Sequence, residues 1–264
     1  MRNRPPQTYW ITGASSGIGE ALSLALNRRG ERVILSARRA NELERVRQHC
    51  AFPDRVCVLP LDLSAADTLA QKTEEAVAAF GSIDVLIHNG GISQRSRVSD
   101  TALEVDRRLM EVNFFGTVAL TKALLPHFVA RQAGHFVIIS SLVGKFGTPL
   151  RSAYAASKHA LHGFFDSLRA EHHHDNLRVT MVCPGFVRTQ VSVNALTGDG
   201  TRQNKMDQAQ KRGISPEKCA RQTIRAIDRR RQEVYIGGKE VGAVYVKRFF
   251  PRVFAQLLRR AKVT

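Results

Sequence analysis

Short apolar runs alternate along the chain with longer stretches whose apolar residues recur at helical spacing. TYWIT, residues 8–12, is apolar and aromatic and stops at Gly13. Ile18, Leu22, Ala25 and Leu26 then form a helical stripe, and Gly30 stands where that helix would end. Residues 32–37 read as a buried strand, 41–50 as a helix and 55–61 as a strand. A helix over 65–80, ending near Gly81, and a strand over 83–88 follow. Strands separated by single helices imply right-handed crossovers and a parallel sheet.

The second half repeats the theme. Residues 101–132 form a long helical pattern with Gly116 and Pro126 inside it. A strand over 135–140, a helix over 153–173 and a strand over 178–183 come next, the last bounded by Pro184–Gly185. Residues 189–213 are polar and aperiodic and read as a loop with short helical pieces. Pro216 suits the first turn of a helix reaching about Arg230, and 233–237 reads as a final strand. No repeat or low-complexity linker interrupts this order. The expected fold is α/β: one doubly wound, Rossmann-type parallel sheet over residues 1–237, with residues 238–264 as an extension.

Composition narrows the picture. A chain of 264 residues, 43% hydrophobic and 24% charged, can bury a sizeable core. It has no unbroken apolar run of about 18 residues, so no spanning helix is expected. The basic N-terminus lacks the apolar stretch of a signal peptide. Cys50, Cys57, Cys183 and Cys219 show no paired spacing and read as free thiols in a reducing, cytoplasmic compartment. The net charge of +17 is uneven: residues 201–264 hold 17 of the 40 Lys and Arg but 5 of the 23 acids, a local +12. Such asymmetry suits a phosphorylated cofactor, a membrane surface or nucleic acid, or is simply a solvated face. No nucleic-acid motif accompanies it, so no specific nucleic-acid partner is expected.

Candidate chemistry clusters at the predicted strand ends. Thr12 to Gly19 (TGASSGIG) joins the first strand to the first helix. Gly13, Gly17 and Gly19 let the backbone approach a pyrophosphate, and the helix N-terminus behind Ser15, Ser16 and Ile18 offers free N–H groups. After the second strand, Arg38 and Arg39 stand where an acid would bind a ribose 2′-hydroxyl. They point to a 2′-phosphate and so to NADP(H) over NAD(H), unless they are only exposed loop charges. Asp62–Leu63 and Asn89–Gly90–Gly91 end the third and fourth strands on the same side of the sheet. Asp62 suits an adenine amino group or, equally, a helix N-terminus. Tyr154 and Lys158 lie one helical turn apart, an arrangement in which an ammonium lowers the pKa of a phenol, and Ser141 ends the fifth strand nearby. His172, His173 and His174 point about 100° apart on a helix, so no metal site is expected.

In this order the motifs TGASSGIG, DLS (62–64), NGG (89–91), Asn113 in VNFFGT, SS (140–141), YAASK (154–158) and PG (184–185) resemble the short-chain dehydrogenase/reductase family. The resemblance runs from about Thr8 to Gly237. It implies a seven-stranded parallel sheet with helices on both faces. It implies that Tyr154 exchanges a proton with the substrate oxygen, that Lys158 holds the nicotinamide ribose and depresses the tyrosine pKa, and that Ser141 orients the carbonyl. Asn113 would anchor a water linking Lys158 to solvent. Gly13, Ser15, Ile18, Arg38, Asp62, Leu63, Asn89, Val187 and Thr189 would line the cofactor, beside the remaining loop residues Ser16, Gly17, Gly19 and Gly91. Pro184 and Gly185 would shape the nicotinamide pocket. Two departures stand out: His88–Asn89–Gly90–Gly91 where the family often has Asn-Asn-Ala-Gly, and Ser16 where many NADP-preferring members carry a basic residue.

The extension adds its own signal. Val246, Phe249, Phe250, Val253, Phe254, Leu257, Leu258 and Ala261 share a helical stripe, while Lys247, Arg248, Arg252, Arg259 and Arg260 mostly lie elsewhere, with Pro251 breaking, kinking or starting a helix. Such a basic amphipathic tail suits peripheral contact with the inner face of a membrane, or packing on the body or a partner. It is similar to the tails of the 11β-hydroxysteroid dehydrogenase-like branch, which points to a bulky apolar carbonyl or alcohol substrate and to lipid metabolism. A 3-ketoacyl thioester reductase is the alternative enzyme. A non-catalytic NADP-binding or membrane-associated scaffold is the alternative of another class. The family implies a homodimer or homotetramer built on helices 101–132 and 153–173.

Overall fold

The computed structural model describes residues 5–259; the Arg260 and Ala261 positions of the tail pattern lie outside them. Seven strands, β1 (Thr8–Thr12), β2 (Arg32–Ser36), β3 (Val56–Val58), β4 (Val85–His88), β5 (Gly134–Ile139), β6 (Leu177–Pro184) and β7 (Glu233–Ile236), form one sheet. Their order is β3-β2-β1-β4-β5-β6-β7, with every neighbouring pair parallel. The order reverses direction at β1 and β4, which places a crevice at their C-terminal ends.

Helices cover both faces. On one side lie α1 (Gly17–Arg28), α2 (Ala40–Gln48) and α8 (Pro216–Asp228); on the other lie α3 (Leu69–Phe80), α5 (Gly116–Arg131) and α6 (Ser152–Glu171). Between them in sequence fall α4 (Leu103–Met110) and the short α7 (Gln208–Lys211). The strand period of two divides the core. Tyr9 and Ile11 of β1 face Leu22, Leu26, Leu43 and Ile224, while Trp10 between them faces Leu120, Phe128 and Phe165. Trp10 is completely buried, and its indole N–H donates to Ser36 Oγ at 2.9 Å.

Two elements differ from the sequence pattern. The third strand is three residues long and begins directly after a turn at Pro53–Arg55, although beyond Val58 the N–H groups of Leu59 and Leu61 still donate to the Leu35 and Ala37 carbonyls of the neighbouring strand's line. The long pattern over 101–132 is broken by a π-helical turn at Glu111–Phe115, between α4 and α5. By length and composition this Leu103–Arg131 helix could cross a membrane, which the absence of an unbroken apolar run did not suggest. Leu120, Leu124 and Phe128 are nevertheless completely buried against the sheet, as in a core helix.

After β7 a turn at Lys239–Val241 leads into α9 (Gly242–Phe249) and α10 (Pro251–Arg259), with Pro251 as the first residue of the new helix. Val241, Ala243, Val244 and Phe254 pack on Leu142, Val143 and Phe146. Phe254 meets Phe146 edge-on at 5.2 Å. The expected apolar stripe is therefore divided: Phe254 turns inward, while Phe249, Phe250, Val253 and Leu257 remain exposed.

Candidate active site

The loop after β1 turns through Gly13 (φ +64°) and Gly17 (φ +59°), a left-handed backbone that favours glycine. A Cβ on Gly19 would collide with the Gly13 carbonyl oxygen, so helix and loop approach as closely as the missing side chain permits. The loop is tied to the end of β4. Asn89 Nδ2 donates to the carbonyls of Thr12 and Gly13, both at 3.0 Å, and the N–H groups of Asn89 and Gly90 donate to Thr12 Oγ1. Ser15 is buried, whereas Ser16 is exposed and caps nothing. Arg45, which the sequence reading passed over, braces the loop by donating to the Ser15 carbonyl while pairing with Glu20 and Glu42. His88 takes no part: its ring faces away, Nε2 lies 2.9 Å from Thr121 Oγ1, and burial, with the Lys158 charge, pushes its pKa down to about 3.

Arg38 and Arg39 are exposed at the end of β2 and make no side-chain hydrogen bond or ion pair among the described residues. Asp62 stands at the same corner, with Oδ1 accepting from both the N–H and the hydroxyl of Ser64. Burial alone would raise its pKa; the Ser64 hydrogen bonds and the charges of Arg38 and Arg108 outweigh it and hold the carboxyl below its ordinary value. Leu63 is buried beside Asp62. Thr189 reaches across to the glycine loop, so that a Cβ on Gly17 would meet its Cγ2 at 3.0 Å. A groove of about 570 Å³ opens beside them, floored by Ala21, Leu24 and Ala25.

Ser141, Tyr154 and Lys158 come together at the ends of β5 and β6. Ser141 Oγ donates to the Pro184 carbonyl at 3.3 Å and accepts from Val143 N–H at 3.3 Å, and its hydroxyl lies near enough to Tyr154 to lower the phenol's pKa. Lys158 Nζ lies 5.9 Å from the Tyr154 ring centre and donates to the Ile139 carbonyl at 2.9 Å. Burial brings the Lys158 pKa down to about 8. The phenol moves the other way from expectation. Burial raises the Tyr154 pKa, against the nearby Ser141 hydroxyl and the charges of Arg151 and Arg95. The reason is geometric: the ammonium is turned to a main-chain carbonyl and not to the phenol oxygen.

Asn113 sits in the π-helical turn. Its Oδ1 accepts from Ile92 N–H at 2.8 Å, and Nδ2 donates to the Ile92 carbonyl and to Ser157 Oγ. With the amide so engaged, a water held by Asn113 would rest on its main-chain carbonyl, which already accepts from Thr117 Oγ1. Gly91 is packed against the Asn113 amide, where an added Cβ would meet Oδ1 at 2.9 Å. Gly185 N–H donates to the Ile236 carbonyl at 2.8 Å, and Val187 is buried. His172 pairs with Asp175 at 2.7 Å, and no group of three metal-ligating side chains occurs among the described residues.

Four side chains near this site escaped the sequence reading. Gln94, Arg95 and Asp207 are buried beside Tyr154's helix, and Glu240 Oε1 accepts from the N–H groups of Phe186 and Gly238. A polar SQRS (93–96), one residue beyond Asn89–Gly91, was a usable signal for the first two. Asp207 and Glu240 lie in aperiodic segments that carry none.

The family model described as short chain dehydrogenase matches residues 7–199. A Drosophila melanogaster relative, "Dehydrogenase/reductase SDR family protein 7-like", is 43% identical over 100% of this chain and 83% of its own length. Two solved Burkholderia structures share the fold. A short-chain dehydrogenase/reductase from B. phymatum in complex with NAD has a TM-score of 0.83 at 20% identity, covering 96% of each chain. A short-chain dehydrogenase from B. cenocepacia in complex with NADP has a TM-score of 0.80 at 23% identity, covering 96% of this chain and 97% of its own.

Proposed function

The chain belongs to the short-chain dehydrogenase/reductase family of oxidoreductases, and on that premise we propose that it is an NADP(H)-dependent carbonyl reductase or alcohol dehydrogenase. The observation that carries this reading is the meeting of Ser141, Tyr154 and Lys158, with Lys158 Nζ 5.9 Å from the Tyr154 ring centre, at the strand ends that also bear the glycine loop.

The residues fit such a cofactor. Gly13, Ser15, Ser16, Gly17, Ile18 and Gly19 present main-chain N–H groups at the start of α1, where an anion is favoured. Arg38 and Arg39 are unengaged at the corner where a 2′-phosphate would lie, which favours NADP(H) over NAD(H). Asp62, Leu63, Asn89 and Gly91 would line the adenosine and central parts. Pro184, Gly185, Val187 and Thr189 would line the nicotinamide end, with Tyr154 and Lys158 on its ribose.

When bound, the nicotinamide supplies or accepts the hydride. The protein's part is to hold the carbonyl and manage its proton. Ser141 Oγ orients the substrate oxygen, and Tyr154 delivers the proton to it. A phenol held above its ordinary pKa stays protonated at neutral pH, which suits the donor role in reduction. Lys158, with a pKa of about 8, remains largely charged at pH 7 and would hold the ribose hydroxyls.

Tyr154 packs among Ile92, Val105, Leu109 and Leu196, surroundings that favour an apolar ketone, aldehyde or alcohol. The extension would rest on the inner face of a membrane. Assembly into a homodimer or homotetramer would use α5 and α6, beside which Phe115 is half exposed.

The test is consumption of reduced nicotinamide, NADPH against NADH, across aldehydes, aromatic ketones, steroids and 3-ketoacyl thioesters. Turnover with NADPH that falls by at least about a hundredfold in Tyr154→Phe is the expected result. Equal activity in the variant would remove Tyr154 from the mechanism. Preference for the thioesters would select the alternative reductase, and tight NADPH binding without turnover would select the scaffold.

A further inference from the structure

α6 begins without a cap of its own: Arg151, the residue before it, makes no capping hydrogen bond from its side chain. The first N–H groups of a helix have no partner within it and must find one elsewhere when buried. Here they find Gln94, a completely buried side chain on the loop after β4. Gln94 Oε1 accepts from Ala153 N–H at 3.0 Å and from Tyr154 N–H at 3.4 Å. Its Nε2 donates to Ser96, Thr101 and Ser152 hydroxyls at 3.0–3.3 Å. The amide therefore grips the main chain of the residue that carries the phenol.

The next residue grips a different segment. Arg95 Nε and Nη2 reach Asp207 Oδ2 at 2.8 and 2.7 Å, and Nη1 donates to Ser93 Oγ and the Gln94 carbonyl. Arg151 Nη2 shares the same oxygen at 3.4 Å. Asp207 is 3% exposed and sits at the end of the aperiodic stretch that follows Thr189. That stretch is pinned to the same loop by its backbone: Arg95 N–H donates to the Leu196 carbonyl and Leu196 N–H to the Ser93 carbonyl, both at 2.8 Å. Asp207 Oδ1 and N–H hold Gln203 and Ser192 in turn. An ion pair withdrawn from water this far has a large cost if one partner is removed.

We propose that Gln94, Arg95 and Asp207 are positioning residues: Gln94 sets the first turn of α6 beneath Tyr154, and the Arg95–Asp207 pair seats segment 190–207 against the same loop, so that this segment, whose Leu196 packs in the cluster around Tyr154, and the proton donor are placed together. The loop Ser93–Ser96 is thus the common base of both. This rests on the reading of Tyr154 as the proton donor, but the seating of the segment does not.

The experiment uses the full chain and three variants. In Asp207→Asn, amide hydrogen exchange across 190–207 should accelerate by about tenfold or more. KM for a carbonyl substrate should rise by about tenfold, with kcat less affected. In Gln94→Leu, kcat should fall by about tenfold or more with KM nearly unchanged, because the phenol and not segment 190–207 is displaced. Gln94→Glu keeps the acceptor oxygens and should recover most of that loss. Wild-type exchange and KM in Asp207→Asn would overturn the seating, and wild-type kcat in Gln94→Leu would overturn the positioning of Tyr154. Should Gln94→Leu fail to fold, the kcat of Gln94→Met decides in its place. If Tyr154→Phe retains full turnover, the reading of Tyr154 falls and the Gln94 role with it, while the exchange measurement still decides the seating.

Discussion

At the end of β5 the Lys158 ammonium is buried, and burial brings its pKa from 10.5 down to about 8. The unfolded lysine keeps its proton to about pH 10.5 and the folded one only to about 8, so the charge weakens the fold throughout the lower range. A shift of this size corresponds to about 3 kcal/mol, offset by about 1 kcal/mol for the hydrogen bond to Ile139. Lys158→Met should therefore melt higher at pH 7, by about 1–2 kcal/mol of stability, while abolishing turnover. Its advantage should shrink as pH rises from 8 towards 10.5, which thermal melts along a pH series would check. A variant less stable than wild type at pH 7 would mean that the Ile139 contact outweighs desolvation. The pairing of Tyr154 with Lys158 was legible in the sequence, since four residues is one helical turn. The direction of the tyrosine shift was not. The burial that raises it comes from Ile92, Val105, Leu109 and Leu196, far from Tyr154 along the chain, and spacing along one helix says nothing of them.

The order of strands and helices was readable because each strand is a short apolar run and each helix has one apolar stripe. Its failures came where a local break overrides periodicity. The turn at Pro53–Arg55 delays the start of β3, and Glu111–Phe115 widens into a π-helical turn that presents Asn113 to Ile92 and Ser157. The link between elements that no pattern reveals is Glu240. It belongs to the extension, yet its carboxylate receives Phe186 N–H at 3.1 Å and Gly238 N–H at 3.0 Å, joining the tail to the Pro184–Gly185 turn. Glu240→Ala leaves both donors without that acceptor, a cost of about 1–3 kcal/mol where they stay buried. The expected outcome is NADPH binding weakened by roughly five- to tenfold in calorimetry, with the thermal midpoint lowered. Unchanged affinity would mean that the turn keeps its shape without the tail.

Across the whole molecule, charge and exposed apolar surface coincide at one end. The last quarter of the chain carries a local +12, and its helices α9 and α10 leave Phe249 67%, Phe250 63% and Leu257 58% exposed. The inner side of the same helices is occupied by Phe146 and its neighbours, so the outer side has no partner among the described residues. Lys247, Arg248, Arg252 and Arg259 are exposed on the same two helices. Near an anionic bilayer each Lys or Arg contributes about 1 kcal/mol, so these four together would favour anionic over neutral vesicles by roughly a thousandfold. Aromatic rings inserted beside them would add affinity that salt does not screen. The chain should therefore sediment with phosphatidylserine vesicles but not with phosphatidylcholine vesicles at low ionic strength. Raised salt should release part of it. Phe249→Glu with Phe250→Glu should release the remainder while turnover of a water-soluble carbonyl is unchanged, because neither ring reaches the Ser141–Tyr154 pair. Failure to sediment with anionic vesicles at low salt would assign the basic face to solvent and the apolar one to a protein partner, and a second copy of this chain would then be sought by light scattering.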